Sequence, residues 1–158
     1  RFSQLTTKSN QFNLRTQRYS EAAIGDLLAN PAYRVVYVEL SDKFDSYGLI
    51  SCVILKKIED FCFIDTWLMS CRVLKRGVEN LVLNFIVRLA KDLGCTKIAG
   101  EYIATAKNSI VRDFYPKLGF EKLVAGDALL PLERDGETYL LNLSDYSETK
   151  TFIAREVE

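Results

Sequence analysis

A chain of 158 residues, 48% hydrophobic and 27% charged, has the length of one domain with a substantial core. Lysine plus arginine equals aspartate plus glutamate at 21 each, so no bulk charge favours nucleic acid or an acidic membrane as a partner. Histidine is absent and the four cysteines form no C-x-x-C pair, which argues against a metal site or a disulfide framework and fits a reduced, cytoplasmic protein.

In chain order, residues 1–13 (RFSQLTTKSNQFN) are rich in amides and hydroxyls and read as an ordered polar segment or linker. A domain is expected over 14–143 and a polar tail over 144–158. "LRTQRYS" alternates enough to predict a short strand. Ser20 then caps a helix over "EAAIGDLLAN", which Pro31 prevents from continuing. "YRVVYVELSDKF" and "YGLISCVILKKIED" predict two strands with "DSYG" as their turn, and "FCFIDTWLMSC" predicts a third.

From Val78 the period changes. Val78, Leu81, Val82, Phe85, Ile86, Leu89 and Leu93 recur at spacings of three and four, an amphipathic helix closed by Gly94. Asn84 and Arg88 break its apolar character, so it is not a membrane span. "CTKIAGEYI" predicts a strand, "KNSIVRDFYPKLGF" a short helix ended by Pro116 and Gly119, and "EKLV" and "ETYLLNL" two last strands with "RDG" as a turn. The order predicts an α/β (α+β) fold, a mixed sheet of about six to seven strands flanked by helices. It is not a dinucleotide fold, because no G-x-G-x-x-G follows the first strand.

"SCRVLKRGVEN" (residues 70–80) is a basic, glycine-hinged corner between a strand and a helix, the kind of setting that holds phosphate. Arg72, Lys75, Arg76 and the helix start would favour a thiolate at Cys71, whereas the ordinary fate of a lone cysteine is burial as a small apolar residue. Without histidine, activation of that thiol falls to electrostatics alone. Cys52, Cys62 and Cys95 lie within apolar runs and read as core. Asp65 interrupts an apolar strand and reads as a base or as a cap for nearby backbone. Glu101, Tyr102, Thr105, Lys107 and Asn108 join a strand end to a helix start. Lys107 reads as a phosphate or carboxylate ligand or as a solvated lysine, and Asn108 as a ligand or an N-cap.

This element order, with its basic turn and "DFYPKLGF", resembles the GNAT acyltransferase fold. "RFSQLTTKSNQFNLRTQRYS", "DTWLMSCRVLKRGVE" and "EYIATAKNSIVRDFYPKLGF" together resemble the C-terminal GNAT-like part of FkbH-like (HAD-IIIC) proteins. The resemblance implies an upstream HAD-like phosphatase domain and an acyl carrier protein as partners, and a start at Arg1 fits a piece cut at that boundary. It also implies that a glyceryl-type acyl group passes through an enzyme thiol to a phosphopantetheine thiol.

By this resemblance Cys71 would carry the acyl group and Tyr115 would be a general acid, although Tyr115 beside Phe114 and Phe120 also reads as core. Arg72, Arg76, Glu101, Tyr102, Thr105, Lys107 and Asn108 would meet the substrate or pantetheine arm. Asn10, Gln11 and Asn13, which match the family's opening motif, would make a polar contact onto the Cys71 region or the missing domain. No cofactor is expected to bind tightly; a phosphopantetheine arm or coenzyme A would visit. The GNAT phosphate turn needs two glycines, and in either register of this turn Glu79 takes one of those places and would repel phosphate. An acetyl-CoA-dependent N-acetyltransferase and a non-catalytic carrier-docking module are the other two readings.

Overall fold

The computed structural model describes residues 12–41, 43–44, 46–124 and 136–153. Helix α1 (Glu21–Ala29) is followed by strands β1 (Tyr33–Ser41), β2 (Ser46–Ile58) and β3 (Phe61–Met69). A 3₁₀ turn (Cys71–Val73) leads into helix α2 (Val78–Asp92) and strand β4 (Lys97–Tyr102). A second 3₁₀ turn (Ser109–Val111), helix α3 (Phe114–Lys117), β5 (Glu121–Lys122) and β6 (Glu137–Asn142) complete the described chain. The six strands form one sheet in the order β1-β2-β3-β4-β6-β5. Only β3 and β4 are parallel, because the crossover through α2 returns the chain to run alongside β3; the other neighbours are antiparallel.

Helix α1 starts where Ser20 offers its hydroxyl to the Ala23 N–H, and α2 ends before Gly94 at φ 76°. One face of α2 packs Val78, Val82, Leu83, Ile86, Val87 and Ala90 onto the main core, while Leu81 and Phe85 stay half-buried. Asn84 turns inward because the tail satisfies it. Its Nδ2 donates to the Thr149 carbonyl at 2.8 Å, and its Oδ1 accepts from the Thr149 N–H and the Tyr146 hydroxyl. The opposite sheet face carries a smaller cluster around Phe61, Phe63 and Ala99. Among the described residues, no helix is long and apolar enough to cross a membrane.

Three local expectations need correction. Residues 14–20 form no strand: Asn13 Oδ1 accepts from the Thr16 N–H at 2.8 Å and Thr16 sits at φ 57°, so the chain turns instead of extending. The β1–β2 connection falls earlier than "DSYG", since Ser46 and Gly48 already belong to β2 and pair with Ser41 and Leu40. Pro116 lies inside α3 rather than ending it, which a first-turn proline permits; Gly119 at φ 86° ends the segment.

Candidate active site

The parallel pairing of β3 and β4 stops at Ile64 and Gly100. On β3 the next residue, Asp65, is a β-bulge: Leu55 faces Ile64 and Ile54 faces Thr66, leaving Asp65 without a partner in the ladder. On β4 the next residue is Glu101. Beyond these two carboxylates the strands are no longer paired with each other, which leaves a slot between them.

Arg15 bridges its two sides. Its Nε donates to Glu101 Oε2 at 2.8 Å, and one Nη donates to Asp65 Oδ1 at 2.8 Å and to the Asp65 carbonyl at 2.9 Å. The guanidinium lies 4.8 Å from the centroid of the Phe63 ring. Tyr19 donates its hydroxyl to Asp65 Oδ2 at 2.5 Å. Burial opposes the charge on Arg15, but the Glu101 hydrogen bond and the charges of Asp65 and Glu101 outweigh it, so the guanidinium's pKa is raised. Burial, then the bond to Asp65, also pushes the Tyr19 phenol up. One cation thus serves two carboxylates, and Glu101, fully buried, keeps Oε1 without a hydrogen-bond partner among the described residues.

Tyr115 is 1% exposed, stacked on Tyr139 at 5.4 Å and tilted against Phe120 at 5.0 Å. Its ring lies over Gly100, where a Cβ would come within 2.3 Å of its Cζ. Its hydroxyl has no partner among the described residues, and burial holds its phenol strongly protonated.

The slot is filled by the chain itself. Asn13 forms an antiparallel bridge with Leu68 beyond the bulge on β3, and the Leu14 carbonyl accepts the Ile103 N–H, just past β4, at 2.8 Å. Phe12 and Leu14 are fully buried, with Phe12 edge-on to Phe114. Asn108 locks this arrangement: its amide donates to the carbonyls of Asn13 and Ile103, and its oxygen accepts from the Thr105 N–H and the Tyr102 hydroxyl. Asn108 occupies the N-cap position of the second 3₁₀ turn but makes no side-chain cap bond there, because the loop takes its bonding capacity.

Cys71 is exposed at the carboxyl end of β3, whereas Cys52, Cys62 and Cys95 are buried. Because β3 and β4 are parallel, this corner and the Thr105–Asn108 loop lie at the same edge of the sheet. Arg72, Lys75 and Arg76 are exposed beside Cys71 in the chain. Lys75 (φ 63°) and Gly77 (φ 82°) take the left-handed turns that swing the chain into α2. Glu79 folds back, and its carboxylate accepts the Lys75 N–H. The protein thereby satisfies an amide of this turn with its own carboxylate.

The structure gathers Asn13, Asp65, Glu101, Tyr102, Asn108 and Tyr115 around the slot. It sets Cys71, Arg72 and Arg76 at the outer corner, and it leaves Thr105 and Lys107 exposed in the loop after β4. Asn10 and Gln11 fall outside the described residues. Arg15 and Tyr19 went unread in the sequence; the available signal was that two carboxylates in apolar strands require a cation. Among the described residues no cluster of three or more metal-ligating side chains is present. An open cleft of about 450 Å³ lies beside the slot, lined by Tyr102, Thr105, Arg112, Gly136 and Glu137.

Burial raises the Cys52 and Cys62 thiols from 9.0 to about 12. Neutral thiols of this kind support the fold fully below about pH 9, and that support is lost towards pH 12, because the unfolded chain releases these protons first. Urea unfolding is therefore expected to show a stability that declines above about pH 9. In the folded protein at about pH 8, iodoacetamide is expected to label Cys71 and spare Cys52 and Cys62. Equal labelling of all three would contradict this placement.

No protein-family model matches the chain, and no curated protein matches it by sequence. Solved structures do match. Rv2747 from Mycobacterium tuberculosis, in complex with CoA and NLQ, aligns at a TM-score of 0.64 and 13% identity over 89% of this chain and 90% of that one. The ribosomal-protein-S18-alanine N-acetyltransferase from Escherichia coli aligns at 0.59 and 15%, over 96% and 91%. A GNAT-family acetyltransferase from Staphylococcus aureus Mu50 aligns at 0.62 and 15%, over 77% and 75%. The chain has the GNAT acetyltransferase fold.

Proposed function

We propose that this chain is an acyltransferase domain that passes a glyceryl-type acyl group from Cys71 to the phosphopantetheine thiol of an acyl carrier protein. The observation that carries the reading is the exposure of Cys71, alone of the four cysteines, at the carboxyl end of β3 beside three exposed basic residues. The resemblance to FkbH-like proteins supports the carrier protein as partner, an upstream HAD-like domain as the source of the acyl group, and a reduced, cytoplasmic setting. In the transfer, the carrier's thiolate attacks the thioester carbonyl. The new C–S bond forms, the bond to Cys71 Sγ breaks, and Cys71 leaves as the thiolate, with the proton lost by the carrier thiol returning to it.

Arg72, Arg76 and Lys107 would meet the phosphate of the arm, and Thr105 would line its path. Asp65 would accept the thiol proton and Tyr115 would return it; these two roles require an open slot. Thioester exchange is reversible, so the domain can be tested alone with a glyceryl-loaded carrier protein. Wild-type protein is expected to accept the acyl group, and Cys71→Ala to lose acceptance at least about 10³-fold. Undiminished acylation of Cys71→Ala would remove Cys71 from the mechanism.

A second reading, acetyl-CoA-dependent N-acetylation, is favoured by structural neighbours solved with coenzyme A. It predicts calorimetrically measurable coenzyme A binding, which the Glu79 carboxylate in the turn opposes. A third, a carrier-docking module without catalysis, is favoured by the filled slot; it predicts carrier binding that survives substitution of Cys71, Asp65 and Tyr115 together.

A further inference from the structure

Four observations converge on residues 12–15. The segment is stitched to both sides of the slot by backbone pairing, Asn13 with Leu68 and Leu14 with Ile103. Arg15 closes its end by gripping Asp65 and Glu101, the first residues past the last β3–β4 pair. Two buried polar groups beside it, Glu101 Oε1 and the Tyr115 hydroxyl, have no partner among the described residues. The chain leaves through Thr16 at φ 57°, a left-handed conformation that a β-branched residue adopts only under strain.

Unsatisfied buried groups call for an explanation. A permanent core strand would account for the packing of Phe12 and Leu14, but not for the orphaned oxygens. A segment that stands in for a ligand accounts for both.

We propose that Phe12–Arg15 is an internal plug. It holds the place of a linear, amide-bearing arm between β3 and β4, and it must withdraw for such an arm to reach Asp65, Glu101 and Tyr115. The arm's chemistry follows from the plug's. What fits is an extended chain with amide N–H and C=O groups that pair with both strand edges, as residues 13 and 14 do, and pantetheine is of that class. Withdrawal frees both carboxylates from Arg15, so the plug also sets when Asp65 is able to act as a base. The inference rests on the acyl-transfer reading only for its choice of arm. Its test reads binding rather than turnover, so failure of the Cys71 chemistry would leave it standing.

The bridge pair offers a reversible lock. Residues facing each other across a β-bridge lie within the Cα separation that a disulfide spans. Asn13→Cys with Leu68→Cys, in a Cys52→Ala, Cys71→Ser background that removes the thiol facing Leu68 from β2 and the exposed thiol, would pin the plug when oxidised and release it on reduction. The probe is a thioether of pantetheine, which cannot reduce the bond, and binding is read by calorimetry. The reduced protein is expected to bind it, with affinity at least about tenfold weaker on oxidation and restored by reductant. Equal affinity in the two states, or no binding to the reduced protein, overturns the proposal. Should the double variant fail to fold, hydrogen exchange on the unsubstituted chain decides. Saturating thioether is expected to raise exchange at residues 12–16, and saturation with unchanged protection there overturns it.

Discussion

Replacing Arg15 by leucine is expected to destabilise the fold by about 3 kcal/mol, a drop of roughly 6–12 °C in melting temperature for a domain of this size. The substitution removes the cation that, among the described residues, bridges two carboxylates, of which Glu101 is fully buried and Asp65 largely shielded. Loss comes less from the missing attraction than from charge left in a poorly solvated place. Restoring balance should therefore help: Arg15→Leu combined with Glu101→Gln is expected to recover a large part of the loss. Denaturant unfolding of the two variants checks it. A single-variant loss below about 1 kcal/mol would mean that water already reaches the cluster.

Gly100→Ala is expected to be comparably severe, about 2–3 kcal/mol, for a steric reason. Its Cβ would lie 2.3 Å from Tyr115 Cζ and 2.5 Å from Tyr115 Cε1 and the hydroxyl oxygen. The ring has nowhere to retreat, being held by Phe114, Phe120 and Tyr139. Tyr115→Phe alone removes a buried hydroxyl that has no partner among the described residues, so it is expected to be neutral or stabilising by up to about 1 kcal/mol. If Tyr115 returns a proton during transfer, the same Tyr115→Phe protein loses rate while gaining stability, which separates a chemical role from a packing one. Thermal unfolding of Gly100→Ala within about 0.5 kcal/mol of wild type would contradict the ring's placement.

The order of elements was legible because it rests on local periodicity. The alternation before Pro31 aside, every predicted strand and the long helix are present, and β3 and α2 announce themselves by an apolar run and a change of period. What misled was sequence whose conformation is set from far away. "LRTQRYS" alternates, yet Arg15 is drawn 86 residues along the chain to Glu101 and Tyr19 46 residues to Asp65, and those bonds outweigh a weak strand preference. The same distance hid the site's centre. Asp65, Glu101, Asn108 and Tyr115 were visible as polar or aromatic residues at strand ends and a helix start, but nothing local shows that a preceding segment covers them. The bulge at Asp65 was equally invisible, since it exists only as a mismatch against β2. The Cys71 corner is the opposite case: thiol, basic residues and Glu79 lie within nine residues of one another, and their juxtaposition was readable in place.

Acyl loading of that corner is read directly by one measurement. Wild-type protein is mixed with a glyceryl-loaded carrier protein, quenched in acid, digested and weighed peptide by peptide. A glyceryl adduct is expected on the peptide containing Cys71, removed by hydroxylamine as a thioester is. An adduct on any other peptide, or transfer of the acyl group with no adduct at Cys71, would contradict it.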